Sequence, residues 1–367
     1  MFLSKGVSNL TLSSESTSEP SPNKVFRVFW GGPDCPPRRL RDILKERIDA
    51  VPSGGEILWA TYYFRDEGLA EALLQANLRG VKVRVVLEGK PRTERANRSV
   101  VKLLKGDDGL GSGLRVLCHN MIGLRFRRSR LHEKLYYFSH PEPHVLVGTF
   151  NPSGNFPEDP AIVSEIGDHD RGHNALVEVA DPVLVRELFS HAQRLFCAMH
   201  GPWESFLPAS NRVVSSGKTR IIFFPRMRSK ELYRLFSGLG DGSRLRMAVS
   251  HLNDPGVCKL LLVLMRQGVN IEIITHDTKR RVPSWVENKM LRNGVIFKRY
   301  IHPEGLPMHN KFMLIDAPDR QVVTFGSLNL SVRSLYTNHE LLVINENPDL
   351  YQIFSRRWDE MLREINT

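Results

Sequence analysis

Cysteine is scarce in this chain, and long apolar runs are absent. The 367 residues include 4 cysteines, which form no C-x-x-C pair: Cys35, Cys118, Cys197 and Cys258. Such wide spacing predicts neither a zinc site nor a dense disulfide framework. The longest apolar run, LLLVLM at 260–265, is much too short to cross a bilayer. We therefore expect any contact with a membrane to be peripheral.

The first residues also lack the pattern of a signal peptide. Residues 1–24 are rich in Ser, Thr and Pro and contain no apolar core followed by a small-residue cleavage site. This composition predicts a disordered tail. The expected location is the cytoplasm or the surface of a membrane, with secretion left open.

Negative charge is in the minority. The chain has 51 Lys and Arg against 40 Asp and Glu, a net charge of +11, and arginine far outnumbers lysine. A basic surface attracts polyanions such as nucleic acid or anionic lipid. Guanidinium groups bind phosphate oxygens in a bidentate manner, so the arginine excess favours a phosphate ligand. A basic soluble protein without such a ligand fits the composition equally well.

The chain contains an internal repeat. Residues 57–89 and 245–277 each show an apolar strand, a polar turn, an amphipathic helix that ends at a glycine, and a β-branched strand. These two βαβ units start about 188 residues apart. The polar segment 208–218 predicts a linker between an N-terminal domain, 25–207, and a C-terminal domain, 219–367. Each domain should hold a sheet covered by helices, an α/β fold.

A rare phrase follows each βαβ unit. The C-terminal copy, MHNKFMLID, contains His309, Lys311 and Asp316, and the N-terminal copy, LHEKLYYFS, contains His132 and Lys134. Alternation along a strand places the histidine and the lysine of each copy on one face. Each copy is followed by an apolar strand that closes in an asparagine, in GTFN at Asn151 and in GSLN at Asn329. We expect the small residues before each asparagine to let a ligand approach the backbone.

These residues resemble the phospholipase D superfamily, whose members carry an H-x-K-x4-D motif. The likeness covers residues 25–365 and includes NHE at 338–340. It implies two duplicated α/β sandwich domains related by a pseudo-twofold axis, with one active site between them in a monomer. It also implies chemistry without a metal or cofactor. One histidine attacks phosphorus and the other protonates the leaving alcohol, while Lys134, Lys311 and both asparagines stabilise the phosphoryl oxygens.

The N-terminal copy departs from the family pattern. Ser139 stands where the C-terminal copy has Asp316, and an alignment of 172–179 with 337–344 places Ala175 opposite Glu340. The resemblance implies that Glu340 orients His309. His309 is then the predicted nucleophile, because a carboxylate stabilises an imidazolium. The resemblance leaves the alternative open, since the family often assigns this role to the histidine of the N-terminal half, here His132. His132 would need another orienting acid, and the candidates are Asp168, Asp170 and Glu165.

Two arginine-rich segments precede the histidines. RFRRSR, 125–130, and TKRR, 278–281, predict a basic rim, and the substrate-binding candidates are Arg127, Arg128 and Arg130. The preferred function is phosphodiester hydrolysis or transfer on a phospholipid headgroup at a membrane surface. A DNA or RNA phosphodiesterase is the second reading, and a catalytically degenerate lipid- or nucleic-acid-binding protein is the third. The histidine pairs His140/His144 and His169/His173 have metal-like spacing, but their Pro- and Gly-containing surroundings argue against a metal site.

Overall fold

The computed structural model of the chain describes residues 25–118, 129–154, 158–197, 211–226 and 230–366. The predicted disordered tail, 1–24, lies outside these ranges. Within the predicted linker, residues 213–216 form a strand that pairs with the next one. The domain limits at 207 and 219 stay a prediction.

The N-terminal half forms a sheet of seven strands in the spatial order β1-β7-β6-β5-β2-β3-β4. The strands are β1 Phe26–Gly31, β2 Glu56–Thr61, β3 Lys82–Glu88, β4 Leu114–Leu117, β5 Lys134–Phe138, β6 His144–Gly148 and β7 Asn174–Val179. Strands β2, β3 and β4 are parallel to one another, and the other pairs are antiparallel. Most residues of β2, β5, β6 and β7 are buried, which explains their continuous apolar composition.

The C-terminal half forms a sheet of eight strands in the order β12-β11-β10-β13-β14-β15-β9-β8. The strands are β8 Val213–Ser216, β9 Thr219–Phe224, β10 Arg244–Val249, β11 Asn270–His276, β12 Ile296–Tyr300, β13 Lys311–Ala317, β14 Arg320–Gly326 and β15 Glu340–Asn345. Taken in space as β9-β15-β14-β13-β10-β11-β12, these strands have the same order and pair directions as the N-terminal sheet taken from β1 to β4. Strand β8 is added at the edge beside β9.

Ten α-helices accompany these sheets in the described part of the chain. They are α1 Arg39–Asp49, α2 Glu67–Leu78, α3 Arg98–Lys105, α4 Pro160–Ile166, α5 Pro182–Cys197, α6 Lys230–Leu235, α7 Pro255–Arg266, α8 Ser284–Arg292, α9 Val332–Tyr336 and α10 Pro348–Asn366. None of them is long and apolar enough to span a lipid bilayer.

Helices α2 and α7 show why the two halves fold alike. Asp66 and Asp254 precede them, and each side chain accepts a hydrogen bond from the backbone three residues on, at 2.7 and 2.8 Å. Such caps accept hydrogen bonds from backbone N–H groups in the first turn, which have no acceptor within the helix. Gly80 and Gly268 follow the two helices, each with a φ of 87°, where a side chain would be strained. The same start and stop signals thus occur in both halves.

Three apolar cores hold the layers together. One lies between the N-terminal sheet and helices α1 to α3, and a second lies between the C-terminal sheet and helices α6 to α8. The third core joins residues of both sheets with residues of α5 and α10, including Leu58, Leu188, Phe312 and Trp358. Burial of this area is the main force that holds the halves face to face. The predicted fold class, two α/β layers in a sandwich, is confirmed.

Candidate active site

The two H-x-K segments meet where the halves face each other. Leu131 forms a parallel bridge with His339, and Met308 forms the matching bridge with His173. The backbone amide of His132 donates to His339 O at 2.9 Å, and that of His309 donates to His173 O at 3.0 Å. Each histidine is therefore positioned by the backbone of the opposite half, which is the reciprocal pattern of a pseudo-twofold axis.

The lysines lie buried beside the histidines. Lys134 and Lys311 begin strands β5 and β13, and their exposed fractions are 0% and 4%. Each ammonium donates to the carbonyl of the histidine two residues earlier, at 2.6 and 2.7 Å. Burial lowers the pKa of Lys134 to about 7, although Glu340 opposes the change, and burial lowers that of Lys311 well below its usual range. An anion bound beside the two ammonium groups would raise the pKa of both lysines.

Glu340 contacts His132 and not His309, so the predicted pairing was wrong. The Nδ1 atom of His132 lies 2.9 and 3.0 Å from the two carboxylate oxygens of Glu340. Ser327 and Ser334 each donate a hydroxyl hydrogen bond of 2.6 Å to the same carboxylate. Burial raises the pKa of Glu340 to about 7, while Lys134 and the two serines act against this rise. Glu340 of the C-terminal half thus orients His132 of the N-terminal half.

His309 is oriented by an amide instead of a carboxylate. Its Nδ1 atom lies 2.9 Å from Asn174 Oδ1, which also accepts a hydrogen bond of 3.1 Å from Thr149 Oγ1. The amide nitrogen of Asn174 donates to His169 O at 2.7 Å, which fixes the orientation of the amide. His309 therefore carries its proton on Nδ1 when neutral.

This pairing corrects the sequence alignment by one residue. Asn174 opens β7 and Glu340 opens β15, and each follows a histidine that forms the bridge described above. Asn174, and not Ala175, is therefore the counterpart of Glu340. Side chains on a strand alternate between faces, so an error of one residue moves the orienting group to the wrong side.

The three acids expected to orient His132 have other partners. Asp168 forms a salt bridge of 2.9 Å with Arg171, and Glu165 forms one of 2.7 Å with Arg95. Asp170 accepts a hydrogen bond of 2.9 Å from the backbone of Arg38. None of these three contacts is with His132, and the prediction that one of them orients its ring was wrong.

Asp316 and Ser139, which occupy equivalent motif positions, both lie outside the cleft that holds the histidines. Asp316 accepts a hydrogen bond of 3.2 Å from Gln321 Nε2 near the end of β13. Ser139 accepts one of 2.7 Å from the backbone of Glu56. Loss of the aspartate in the N-terminal copy therefore leaves the surroundings of the histidines intact, and Asp316 supports its strand.

The glycines of GTFN and GSLN have a packing role that differs from the predicted one. A Cβ atom on Gly148 would lie 2.1 Å from Ala175 O, and one on Gly326 would lie 2.4 Å from Leu341 O. Both distances are far below contact. Close approach of the neighbouring strand, and not of a ligand, requires glycine at these two positions.

Asn151 and Asn329 both line the cleft. The side-chain oxygen of Asn151 accepts from the backbone of Tyr63 at 3.2 Å, and its nitrogen lies 3.1 Å from His169 Nδ1. The Oδ1 atom of Asn329 is buried and has no hydrogen-bond partner among the described residues. The Oδ1 atom of Asn329 can only accept a hydrogen bond, so the donors available to a substrate oxygen are one N–H of Asn151 and the Nδ2 group of Asn329.

His169 belongs to this site, although the sequence considered it only as half of a weak metal pair. Its ring stacks on His309 at a centroid distance of 4.4 Å and an angle of 21°. Its Nε2 atom lies 3.0 Å from Ile166 O, so both ring nitrogens are engaged. The residue lies in an irregular segment between α4 and β7, where no periodic pattern could have assigned it to the site.

The histidines lie in a cleft of about 560 Å³. Its lining comprises Tyr62, Tyr63, Arg92, Arg130, His132, Asn151, Ile166, His169, His251, Asn253, Arg280, Arg281, His309, Asn329, Ser331, Val332, Arg333, Ser334 and Asn338. Of the predicted substrate-binding arginines, Arg130 is in this lining, and Arg127 and Arg128 lie outside the described residues. Burial, followed by the neighbouring cations, lowers the pKa of both His132 and His309 well below the usual range.

Two sheets of one topology bring a pair of H-x-K segments together, and His132 and His309 line one cleft between the halves. The family model described as "Cardiolipin synthase, PLD-like domain" matches residues 48–156 and 241–362, more than half of the chain. The chain therefore belongs to this phospholipase D-like family.

Curated relatives carry the name mitochondrial cardiolipin hydrolase. The protein of Xenopus laevis is 26% identical over 128 residues, which are 35% of this chain and 59% of the relative. That of Danio rerio is 26% identical over 120 residues, which are 33% of this chain and 51% of the relative. The chain thus spans little more than half the length of these relatives.

Solved structures with the same fold span nearly the whole chain. Phosphatidylserine synthase from Haemophilus influenzae superposes with a TM-score of 0.65 at 12% identity, over 93% of this chain and 86% of that one. Polyphosphate kinase from Porphyromonas gingivalis gives 0.60 at 15% identity, over 92% of this chain and 50% of that one. At these identities the likeness concerns the fold alone.

Proposed function

We propose that this chain is a metal-independent phosphodiesterase or phosphatidyltransferase that acts on phospholipid headgroups through a phosphohistidine intermediate. The observation that supports the proposal most strongly is that two histidines lie in one cleft and that the Nδ1 atom of each is hydrogen-bonded to a residue of the opposite half. With Nδ1 engaged, Nε2 of each ring is the nitrogen that can react. The working unit is a monomer, because both halves of the site belong to one chain.

His132 is the nucleophile in this proposal, which reverses the prediction made from the sequence. Its Nε2 lone pair forms a bond to phosphorus as the bond to the leaving alcohol oxygen breaks. The ring becomes positively charged, and the Glu340 carboxylate at 2.9 Å stabilises that charge. Asn174 is neutral and offers His309 no such stabilisation. The carboxylate partner that the sequence assigned to His309 belongs to His132.

His309 then acts as general acid and base. Protonated at Nε2, it gives that proton to the departing alcohol oxygen. The neutral ring next takes a proton from water or from an acceptor alcohol, whose oxygen attacks phosphorus and breaks the bond to His132. Lys134 and Lys311 balance the negative charge on the phosphoryl oxygens in both steps. Asn151 and Asn329 supply further donors from the ends of β6 and β14.

A phospholipid is favoured as substrate because the family model is described as cardiolipin synthase and the curated relatives are named cardiolipin hydrolases. A nucleic acid is the second candidate, favoured by the net charge of +11 and the arginines of the cleft. A degenerate binding protein is the third, but the intact histidines, lysines and asparagines argue for catalysis. We propose action at a membrane surface, with the chain bound peripherally.

The substrate class can be tested in one experiment. The protein is incubated with mixed phospholipid vesicles and, separately, with labelled single- and double-stranded DNA and RNA, all without divalent metal. Release of a soluble headgroup or its exchange with glycerol supports the proposal. Cleavage of nucleic acid without any action on lipid favours the second candidate, and no turnover of either favours the third.

Turnover should persist in excess EDTA. The proposed nucleophile, acid and charge-stabilising groups are all side chains of this protein, so chelation removes none of them. The initial rate with and without about 5 mM EDTA is expected to agree within about twofold. A loss of turnover that zinc or magnesium restores would show that the chemistry differs from the proposed one.

The dependence of kcat/KM on pH should be bell-shaped and centred near pH 7. Glu340 has a raised pKa of about 7 and must be ionised to stabilise charge on His132, so activity rises as pH increases through that value. Lys134 has a lowered pKa of about 7 and must be protonated to hold phosphate, so activity falls as pH rises further. The profile is measured between about pH 5 and 9 with a nitrophenyl phosphodiester, whose leaving group needs no proton from His309.

Two substitutions test which residue sets each limb of this pH profile. Glu340→Gln should abolish the acidic limb and shift the alkaline limb to lower pH, because the carboxylate raises the pKa of Lys134. Lys134→Arg should remove the alkaline limb, because a guanidinium stays charged in this range. Asp316→Asn, which changes a carboxylate outside the cleft, serves as the control and should keep the bell shape. An unchanged acidic limb in Glu340→Gln would contradict this assignment.

A further inference from the structure

Glu133 is the middle residue of the N-terminal H-x-K segment, and it does not line the cleft. Its exposed fraction is 0%. Neighbouring side chains on an extended segment alternate between faces, so Glu133 lies on the opposite side from His132 and Lys134. A carboxylate inside an apolar core is costly unless it is paired and hydrogen-bonded. Packing alone therefore gives no reason for an acid at this position.

The partner of this carboxylate is His191 of α5. Its Nε2 atom lies 2.8 and 3.0 Å from the two carboxylate oxygens of Glu133. The ring is 3% exposed and stacks on Phe223 of β9, with a centroid distance of 4.0 Å and an angle of 14°. Phe223 belongs to the core between the two sheets. The pair is therefore enclosed behind the cleft, under a strand of the C-terminal sheet.

The pair carries one net negative charge. The Nδ1 atom of His191 is buried and has no hydrogen-bond partner among the described residues. An imidazolium would carry a second N–H at this atom, and a buried charged donor without an acceptor is strongly disfavoured. His191 is therefore neutral, with its proton on Nε2 donated to Glu133. The negative charge of the carboxylate is left to act on its surroundings.

Two cations lie near this carboxylate. Lys134 follows it in the chain, and Arg194 lies three residues after His191 on α5. Burial lowers the pKa of Lys134 to about 7, and Glu340 and then Glu133 oppose that change. Burial also lowers the pKa of Arg194, and Glu133 again acts against it. Glu133 is thus a counter-charge to Lys134 that acts from within the core.

The C-terminal half has no such pair. Asn310 is the equivalent of Glu133 in the second H-x-K segment, and its amide nitrogen lies 3.6 Å from the sulfur of Met361 in α10. Both of these side chains are neutral. Burial and then the charge of Lys134 lower the pKa of Lys311 well below its usual range. The buried acid therefore supports the lysine of the half that carries the proposed nucleophile.

We infer that Glu133 and His191 form a positioning pair, which holds the His132–Lys134 segment from the core side and supplies a counter-charge to the Lys134 ammonium. The pair touches no substrate, so its effect reaches a bound phosphate only through Lys134. Its catalytic consequence rests on the proposed function, which assigns this lysine to the phosphoryl oxygens. The charge state of Lys134 does not depend on turnover and can be measured separately.

The test follows the ammonium of Lys134 directly. Protein with isotope-labelled lysine Cε is titrated by NMR between about pH 5 and 10, and the Lys134 signal is the one missing in Lys134→Met. In the wild-type protein this signal should titrate near pH 7. In Glu133→Gln the midpoint should fall by about one pH unit or more, because a nearby opposite charge has been removed. Glu178→Gln, which removes a buried carboxylate paired with arginines on the same sheet, is the matched control and should keep the wild-type midpoint.

Two changes at His191 separate its hydrogen bond from its bulk. His191→Gln keeps an N–H donor and the net charge, so the Lys134 midpoint should stay within about 0.3 pH unit of wild type. His191→Leu removes the donor, so the buried carboxylate takes up a proton and the midpoint should fall as in Glu133→Gln. If Glu133→Gln does not fold, the contrast between these two variants decides the question.

Turnover provides the second readout. With a nitrophenyl phosphodiester, the alkaline limb of kcat/KM should move in each variant by the same amount as the NMR midpoint of Lys134. A purely structural role of the pair would lower the rate without moving this limb. A limb that stays in place while the midpoint falls would therefore refute the catalytic consequence of the pair.

The remaining outcomes distinguish the pair from the proposed function. An unchanged Lys134 midpoint in Glu133→Gln overturns the inference, as does an equal fall in Glu178→Gln. Equal midpoints in His191→Gln and His191→Leu also overturn it, because the hydrogen bond to Glu133 would then be without effect. A midpoint that falls as expected, in a protein that turns over no phosphodiester, would sustain the counter-charge and refute the proposed function.

Discussion

His132→Asn should lower kcat by about 10⁴-fold or more and prevent any covalent intermediate, because the substitution removes the proposed nucleophile. His309→Asn should fail differently. With a nitrophenyl phosphodiester, whose leaving group needs no proton, His132 can still be phosphorylated once. The second step then lacks its base, so we expect a burst of one nitrophenol per protein followed by a rate reduced by about 10³-fold or more.

Peptide mapping after turnover is quenched with denaturant at alkaline pH checks this assignment, because acid would hydrolyse the P–N bond of a phosphohistidine. Phosphate that is still esterified to the rest of the substrate should be found on the peptide that contains His132, and this adduct should accumulate in His309→Asn. Phosphate on His309 would reverse the roles of the two histidines and would leave the contact between Glu340 and His132 without its catalytic explanation. Glu340→Gln combined with His309→Asn provides an independent check, since it should slow the burst of the His309→Asn protein by about 10- to 100-fold. Asp316→Asn combined with His309→Asn is the control and should leave the burst of the His309→Asn protein unchanged.

Lys134→Met and Lys311→Met should each lower kcat by about 10²- to 10³-fold with little change in fold, because each removes one of the two buried cations that balance the phosphoryl charge. Methionine preserves the apolar stem of lysine, so packing is disturbed little. Steady-state kinetics on a soluble phosphodiester measure the loss, and circular dichroism verifies the fold. Lys82→Met is the control, since Lys82 is exposed on β3 of the same sheet.

The two lysine variants should differ in pH dependence. Lys134 is the stronger of the two in lowering the pKa of Glu340. Lys134→Met should therefore shift the acidic limb of the profile to higher pH by more than Lys311→Met does. Equal shifts, or none, would indicate that Glu340 does not set this limb. A rate loss below about fivefold in both variants would contradict the assigned role of the lysines.

The fold could be predicted from the sequence for a simple physical reason. Each half repeats the same local signals, which are a polar turn before the helix, a glycine after it, and apolar strands on either side. These signals act within a few residues and therefore survive in the sequence. The placement of His132, His309, Lys134 and Lys311 in one region followed from the resemblance. Their grouping in the structure agrees with that expectation, and their catalytic roles stay proposals.

The residues that orient the two histidine rings could not be predicted from such local signals. Glu340 is 208 positions from the ring it contacts, and Asn174 is 135 positions from His309. Both contacts cross between the halves, and they depend on a register that sequence alignment set one residue off. His169 reaches His309 from an irregular segment, where no periodic pattern assigns a direction.

The sequence by itself determined two α/β halves of one topology, a paired set of His, Lys and Asn, and a basic chain suited to phosphate. Only the tertiary structure decided which half orients which histidine, and therefore which ring has the carboxylate that a nucleophile needs. It also decided that Arg281 is buried against Ile166 of the opposite half, while Asp316 lies outside the cleft. The physical reason is that local patterns specify strands and helices, whereas a site between two halves depends on contacts between residues far apart in the chain.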